Sequence, residues 1–253
     1  METEKSSVWK KKTALVTGAT TGIGEAIAYA LADLGMTVAA AGRRREELDR
    51  VVRAICQRGG MAKAYCCDIG DAEAIPQMFA DIEQDTGPLD VLINNAGVGY
   101  QSAIADFSTA DLQQALDVNV LGTAICIREA IKHMQHRPET AIITISSMAA
   151  HRTPPGGYGL YSATKHALRA IMEALRIELV SIDSPTKIAS ISPGTVATDF
   201  HKLFARSDSD PTAKLSFERL TAQDISDAVV YVLGTPSHVQ VSDIFIRPMG
   251  QLG

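Results

Sequence analysis

Seven short apolar runs separate the helical segments of this chain, and they constrain its fold more than any other feature. They occupy residues 13–17, 37–42, 62–66, 89–94, 141–146, 187–192 and 243–247. The runs are apolar throughout rather than alternating, which is typical of parallel strands covered on both faces. Amphipathic stretches typical of helices fall between them, at residues 22–34, 46–58, 72–86, 109–136, 158–182 and 222–233. This alternation predicts a three-layer α/β/α fold with a doubly wound parallel sheet of strand order 3-2-1-4-5-6-7.

The division of the chain into domains follows from the same pattern. No linker, repeat or low-complexity segment interrupts the alternation, so we expect residues 1–253 to form a single domain. Residues 1–11 are charged and lack the apolar core of a signal peptide. We therefore expect them to be a flexible lead-in to the first strand.

Composition excludes several classes of function. The net charge of −5 gives no electrostatic footprint for nucleic acid or for an anionic membrane surface. No apolar run approaches the roughly 20 residues of a transmembrane helix. The cysteines show no metal-ligand spacing, and we interpret all four as buried apolar residues of a reduced, cytoplasmic protein: Cys56, Cys66, Cys67 and Cys126. The six histidines form no cluster, so we expect no metal site.

A glycine-rich turn links the first strand to the first helix. Gly18, Gly22 and Gly24 have the spacing G-x3-G-x-G. Glycine permits a tight turn and a close backbone approach to a pyrophosphate, and the following helix presents its positive N-terminus to that anion. Taken alone, the spacing fits a dinucleotide site, a turn without a ligand or a methyltransferase-type sheet.

Five further segments narrow these alternatives. They are residues 94–97 (NNAG), 117–122 (DVNVLG), 145–149 (ISSMA), 161–165 (YSATK) and 193–198 (PGTVAT). Together with the glycine turn, this ordered set resembles the short-chain dehydrogenase/reductase (SDR) family in its single-domain, Rossmann-like form. The resemblance covers residues 12–250, nearly the whole chain. A lone YxxxK is a weak signal, whereas five ordered motifs at matching strand ends are specific.

The resemblance implies a catalytic set, which comprises Asn119, Ser147, Tyr161 and Lys165. Tyr161 is implied as the acid/base, and Lys165 lies four residues later, on the same helix face. We expect its ammonium to lower the tyrosine pKa from about 10. The resemblance also implies that Lys165 binds the nicotinamide ribose and that Ser147 donates a hydrogen bond to the substrate oxygen. Asn119 is implied to hold a water molecule of a proton relay.

Two neighbouring residues compete for these roles. Tyr158 lies close to Tyr161 but has Ser162 rather than a lysine four residues later. Ser146 precedes Ser147, and in a strand the two side chains face opposite ways. We therefore favour Tyr161 and Ser147 as the catalytic pair.

The resemblance implies a larger set of cofactor-binding residues in addition to Tyr161 and Lys165. They are Gly18, Thr20, Thr21, Gly22, Ile23, Arg43, Arg44, Asp68, Ile69, Asn94, Asn95, Ala96, Gly97, Pro193, Gly194, Val196 and Thr198. Asp68 resembles the family aspartate that accepts a hydrogen bond from the adenine amino group. A helix N-cap is the alternative role for this residue.

The end of the second predicted strand indicates the choice of cofactor. An NAD site of this type usually carries an acidic residue there, whereas this chain has Gly42 followed by Arg43 and Arg44. A guanidinium suits a phosphate in two-pronged geometry, so the sequence predicts NADP(H), with Arg43 as the main discriminating contact. Arg45 is expected to begin the helix and face solvent. A merely solvated basic helix start is the alternative, although positive charge there is unfavourable. Thr21, where many NADP-preferring members carry a basic residue, makes the preference less extreme.

The resemblance thus implies hydride transfer between NADP(H) and a carbonyl or secondary alcohol carbon of a small molecule. Reduction of an imine or enone and a non-catalytic NADP-binding regulator are the alternatives, and the intact catalytic set disfavours the regulator. A homo-oligomer, dimer or tetramer, is implied through the helices near residues 109–136 and 158–182. A substrate lid is implied over residues 198–221. Its apolar residues suit either a pocket wall or packing of the lid onto the body: Phe200, Leu203, Phe204, Leu215 and Phe217.

Overall fold

One parallel sheet of seven strands forms the centre of the protein, as a computed structural model that describes residues 8–252 shows. The strand order is β3-β2-β1-β4-β5-β6-β7, which confirms the predicted topology. The strands are β1 (Thr13–Thr17), β2 (Thr37–Gly42), β3 (Met61–Cys66), β4 (Val91–Asn94), β5 (Ala141–Ile145), β6 (Lys187–Pro193) and β7 (Asp243–Ile246). In register, Ala14 of β1 pairs with Val38 of β2 on one side and with Val91 of β4 on the other.

Helices cover both faces of the sheet. In the described part of the chain they are α1 (Gly22–Asp33), α2 (Arg45–Gln57), α3 (Ala74–Thr86), α4 (Thr109–Leu116), α5 (Thr123–Met134), α6 (Gly159–Ser181), α7 (Phe200–Ala205) and α8 (Ala222–Gly234). The stretch 109–136, which the sequence predicts as one helix, is divided by a π-helical turn over Asp117–Gly122. A π turn adds one residue to a helical turn. The apolar pattern of the sequence changes too little for such a turn to be recognised from it.

Alternate side chains of each central strand enter two separate apolar cores. In β1, Ala14 and Val16 pack against α1, α2 and α8, while Leu15 packs against α3, α5 and α6. Successive side chains of a strand point to opposite faces of the sheet, and helices cover both faces, so each strand contributes to both cores. This arrangement leaves the carboxyl ends of the strands at one edge of the fold, where the loops carry the motifs.

Three expectations about exposure need correction. Trp9 is buried in the first core, and its indole N–H donates to the Leu233 carbonyl at 3.0 Å, so residues 8–11 are not a flexible lead-in. Residues 1–7 of the predicted lead-in lie outside the described part. Cys56 and Cys66 are exposed rather than buried, whereas Cys67 and Cys126 are buried as expected. Cys56 lies on the outer face of α2, and Cys66 ends the edge strand β3.

The described residues contain no helix that is both long enough and apolar enough to cross a bilayer. The cytoplasmic location stays a prediction.

Candidate active site

A cleft of about 550 Å³ opens at the carboxyl ends of the strands. It lies where the strand order reverses between β1 and β4, the usual place for a ligand in an open α/β sheet. The Thr17 hydroxyl accepts hydrogen bonds from the backbone N–H groups of Asn95 and Ala96, at 3.0 and 3.1 Å. The Asn95 side chain in turn donates to the carbonyls of Thr17 and Gly18. These bonds hold the ends of the two strands together under the cleft.

The glycine turn presents free backbone donors to the cleft. Gly18 and Gly22 have φ values of +67° and +61°, a conformation that favours glycine. Gly24 has a different task, since a Cβ there would lie 2.3 Å from the Gly18 carbonyl oxygen. The N-cap residue of α1, Thr21, makes no side-chain hydrogen bond to the first turn of the helix. The N–H groups of that turn are therefore available to a phosphate.

Two arginines border the same end of the cleft. Arg44 Nη2 donates to the hydroxyls of Thr20 and Thr21, at 2.9 and 3.4 Å, and so lies against the glycine turn. Arg43 Nη1 lies 3.7 Å from an Asp68 carboxylate oxygen, and both of these side chains are about half exposed. Arg45 begins α2 and pairs with Asp49 on the outer surface, as expected for a residue facing solvent.

Two sequence interpretations in this region are wrong. Asn94 does not line the cleft; it is buried, and its side-chain amide lies 3.5 Å from the Thr144 hydroxyl. Asp68 does not cap a helix; its carboxylate accepts from Gly70 N–H within a turn, while Asp71 accepts from the backbone at the start of α3. Asp68 lines the cleft, so its carboxylate is accessible to a ligand.

The other end of the cleft carries Tyr161, Ser147 and Lys165. Tyr161 and Lys165 are both buried, one turn apart on α6, as their spacing predicts. Ser147 follows β5, and its hydroxyl oxygen accepts from Ala149 N–H at 3.1 Å. Its neighbour Ser146 also borders the cleft, but its hydroxyl is buried and makes no hydrogen bond within the described residues. Tyr158 lines the cleft as well, so location alone does not separate the two tyrosines.

Burial changes the pKa values of Tyr161 and Lys165. From the sequence we expected Lys165 to lower the pKa of Tyr161, and the structure corrects this. Burial raises the pKa of Tyr161 to about 12, and a hydrogen bond with Ser147 only partly offsets that rise. Lys165 does not lower this pKa, because its ammonium donates to the Ile145 carbonyl at 2.9 Å and lies 5.7 Å from the centroid of the tyrosine ring. Burial also lowers the pKa of Lys165 to about 8.

Asn119 lies behind the cleft and does not line it. Its side chain accepts from Val98 N–H at 2.8 Å and donates to the Val98 carbonyl and the Thr164 hydroxyl. The π turn brings it there, and Gly122 at the end of the turn is essential because a Cβ would lie 1.9 Å from the Ile69 carbonyl oxygen. Asn119 thus holds the segment after β4 against the helix of Tyr161. Its implied water stays a prediction.

Aromatic side chains from the predicted lid form the wall beside Tyr161. Phe200 and Phe204 of α7 lie with their ring centroids 5.5 and 5.8 Å from that of Tyr161, and Tyr158 packs on Phe204 at 4.5 Å. The sequence left open whether the apolar residues of the predicted lid form a pocket wall or pack the lid onto the body, and the structure shows both. Phe204 is buried and fastens α7 to the body, while Phe200 and Leu203 line the cleft.

With the exceptions of Asn94 and Asn119, the predicted site residues all border this one cleft. Sequence reasoning missed several other lining residues, including Val98, Met148, Arg152 and Gln251. Val98 directly follows one motif, Met148 lies within another and Arg152 is three residues beyond it, so their positions could have been inferred. Gln251 lies far from every motif, and no local signal identifies it.

Comparisons with known proteins agree with this arrangement. The family described as short chain dehydrogenase matches residues 12–208. Dehydrogenase/reductase SDR family member 11 of Mus musculus is 39% identical over 96% of both chains. Farnesol dehydrogenase of Aedes aegypti is 37% identical over 96% of this chain and 98% of its own. A short chain dehydrogenase from Burkholderia cenocepacia, solved in complex with NADP, has a TM-score of 0.85 at 28% identity, covering 94% of this chain and 97% of its own.

The fold and the cleft therefore define a nicotinamide-dependent oxidoreductase of the doubly wound α/β class. The chain belongs to the short-chain dehydrogenase family.

Proposed function

We propose that this protein transfers a hydride between NADP(H) and a carbonyl or secondary alcohol carbon of a small molecule, with Tyr161 as acid/base. The observation that carries the proposal is the composition of one continuous cleft. Its first end has an uncapped helix N-terminus beside Arg43 and Arg44, and its second end has Tyr161 with Ser147 and Lys165. The first end suits a phosphorylated dinucleotide, and the second suits proton transfer to a substrate oxygen.

The residues fit the cofactor by their chemistry. The free N–H groups of the glycine turn are suited to hold the pyrophosphate, and Arg44, already placed on Thr20 and Thr21, suits the adenosine 2′-phosphate. The bound nicotinamide would supply the hydride. Lys165, buried beside Gly97, is available to bind the nicotinamide ribose. This assignment gives Arg44 a larger part in cofactor choice than the sequence suggested.

Three side chains then handle the proton and the developing charge. As the carbonyl carbon is reduced, negative charge grows on its oxygen, and the Ser147 hydroxyl stabilises that charge by donating a hydrogen bond. Tyr161 gives its proton to the same oxygen. Its raised pKa of about 12 keeps it in the neutral form that a general acid requires. Asn119 fixes the backbone of Val98 beside them.

The wall of the cleft indicates an apolar substrate body. Phe200, Leu203 and Met148 line the side next to Tyr161, and residues 198–221 are proposed to cover the substrate there. The name of the mosquito relative, farnesol dehydrogenase, describes an enzyme for a long apolar alcohol. We accordingly propose a carbonyl or alcohol group on an apolar carbon frame.

The direct test of this proposal is NADPH oxidation with a panel of aldehydes and ketones, followed by absorbance at saturating cofactor. Apolar ketones and aldehydes are the expected substrates. Imines and enones in the same panel distinguish reduction of a carbonyl group from reduction of a C=N or C=C bond. Binding of NADPH without turnover of any member would instead indicate a regulatory protein.

Lys165 is expected to set the pH dependence of carbonyl reduction. Because burial lowers its pKa to about 8, the ammonium predominates below pH 8 and is lost above it. We expect kcat/KM to be level below that value and to fall by about tenfold per pH unit well above it, as for the loss of one proton. Tyr161, with its pKa of about 12, stays protonated throughout this range.

The measurement is a pH profile from 6 to 10 at limiting carbonyl substrate. Lys165→Arg is the control, because a guanidinium does not titrate in this range and its residual activity should show no decline near pH 8. A decline that persists in this variant would assign the titration to another group.

We also propose that the protein forms a homo-oligomer through the helices α4 to α6. Large apolar side chains are exposed on or next to these helices: Leu112 and Leu116 on α4, Leu121 in the π turn, Ile177 and Val180 on α6, and Ile182 directly after it. Exposed apolar residues in such numbers are typical of an interface between chains. Sedimentation at micromolar concentration is expected to give a dimer or tetramer. A monodisperse monomer would contradict this proposal.

A further inference from the structure

The segment that follows β7 reaches the cleft. After β7, Gly250 has a φ of +92° and Gln251 N–H donates to the Pro248 carbonyl at 3.1 Å, so residues 248–251 form a turn. This turn directs Gln251 back toward the body, where its side-chain oxygen accepts a hydrogen bond from Thr195 N–H at 3.0 Å. Gln251 thereby borders the same cleft as Tyr161, although 90 residues separate them in sequence.

The backbone that Gln251 contacts is held on two sides. Gly194 N–H donates to the Ile246 carbonyl of β7 at 2.7 Å. A Cβ on Gly194 would lie 2.3 Å from the Gln251 side-chain oxygen and 3.0 Å from Pro248 Cδ. The turn therefore packs directly on Gly194, which has no side chain to keep it away. This close approach needs glycine at position 194.

The lid also contacts this turn. A Cβ on Gly250 would lie 3.3 Å from Phe217 Cβ, so the lid segment lies against the residue that precedes Gln251. Leu220 N–H donates to the Thr195 carbonyl at 3.0 Å. Thr195 is thus held through its N–H by Gln251 and through its carbonyl by the end of the lid.

We infer that Gln251 is a positioning residue for the nicotinamide half of the cofactor, which it serves by fixing the backbone from Gly194 to Val196. The inference rests on the proposed function. Gly194 lies beside Met148, the residue after Ser147, at the end of the cleft that carries Tyr161, whereas the arginines border the other end. Loss of the hydrogen bond would leave Thr195 N–H without its acceptor and loosen the segment that faces the nicotinamide, while the adenosine end would be unaffected.

The test compares two nucleotides with three variants. NADPH occupies both ends of the cleft, whereas adenosine 2′,5′-bisphosphate has no nicotinamide and reports the adenosine end alone. Gln251→Met keeps the length of the side chain and removes the acceptor, and Gln251→Glu keeps an acceptor. Leu252→Ala is the matched control, since Leu252 is the next residue and fully exposed. Fluorescence titration of NADPH and calorimetry of the bisphosphate give the Kd values without any turnover.

We expect Gln251→Met to raise the Kd for NADPH by about 3- to 10-fold, the usual loss for one hydrogen bond, and to leave the Kd for the bisphosphate within about twofold. Gln251→Glu should lie closer to the wild type than Gln251→Met, and Leu252→Ala should match it. Circular dichroism melting checks that each variant is folded, and Gln251→Ala replaces any variant that is not.

Three results would overturn the inference. Gln251→Met that binds NADPH like the wild type would show that the contact does no positioning. Equal weakening for both nucleotides would show a general structural role instead. If the wild type itself fails to bind NADPH, the proposed function falls together with the inference. A wild type that binds NADPH and reduces carbonyls leaves the proposed function standing whatever the variants show.

Discussion

Replacing Tyr161 with phenylalanine is expected to lower kcat for carbonyl reduction by about 10²–10⁴-fold, the usual contribution of general acid catalysis. The substitution removes only the hydroxyl group. The ring keeps its packing against Phe200 and Phe204, whose centroids lie 5.5 and 5.8 Å away, so the cleft should retain its shape. The Kd for NADPH should therefore stay within about twofold, because the lost group donates the proton rather than supporting the fold.

The matched control is Tyr158→Phe. Tyr158 borders the same cleft and packs on Phe204 with a centroid distance of 4.5 Å. Its substitution therefore removes the same chemical group from the same cleft. We expect this variant to keep most of its activity, measured as single-turnover NADPH oxidation. Tyr161 is not the general acid if its phenylalanine variant keeps more than about a tenth of the wild-type rate. A larger loss in the Tyr158 variant would transfer the role to that residue.

The second large effect is expected in cofactor choice. We expect kcat/KM with NADPH to exceed that with NADH by about 100-fold, because each charge-assisted hydrogen bond to the 2′-phosphate contributes about 1.5–3 kcal/mol. Arg44→Ala and Arg43→Ala should each reduce the efficiency with NADPH by about 10-fold or more and change that with NADH little. Arg44 lies on Thr20 and Thr21, whereas Arg43 is partnered by Asp68, so their separate effects rank the two contacts.

Reversal of the preference needs a carboxylate at position 42, where the structure imposes a condition. A Cβ on Gly42 would lie 2.9 Å from the Thr20 methyl group, so Gly42→Asp alone brings a steric clash as well as a charge. Thr20→Ser removes that methyl group and keeps the hydroxyl that Arg44 contacts. We therefore expect the triple variant Thr20→Ser, Gly42→Asp and Arg43→Ala to prefer NADH.

The control for this experiment is Thr20→Ser alone, which should keep the preference for NADPH. Steady-state kinetics with both cofactors and one carbonyl substrate give the ratios. Equal efficiency with NADPH and NADH in the wild type would contradict the predicted preference. A triple variant that still prefers NADPH would assign the discrimination mainly to Arg44.

The sequence by itself determined the order of the seven strands and the helical stretches between them, although not the π turn over Asp117–Gly122. Apolar runs such as residues 13–17 and 37–42 alternate with helical stretches and therefore indicate parallel strands. Such strands are apolar throughout because helices cover both faces of their sheet. The motifs were assigned for a similar reason. The loops after parallel strands meet at one edge of a sheet, so Gly18, Asn95, Ser147 and Gly194 were expected to lie together, and all four border the cleft.

Only the tertiary structure decided what depends on groups distant in sequence. The pKa of Tyr161 rises rather than falls because the residue is buried, while the ammonium of Lys165 is engaged by the Ile145 carbonyl. The close approach of Gly42, at the end of β2, to Thr20, in the turn after β1, is a contact between two elements. Gln251 reaches Thr195 through a turn that no motif marks. A local pattern records which face of its own element a residue occupies, but these properties arise from contacts between elements, whose distances are fixed only when the whole chain packs.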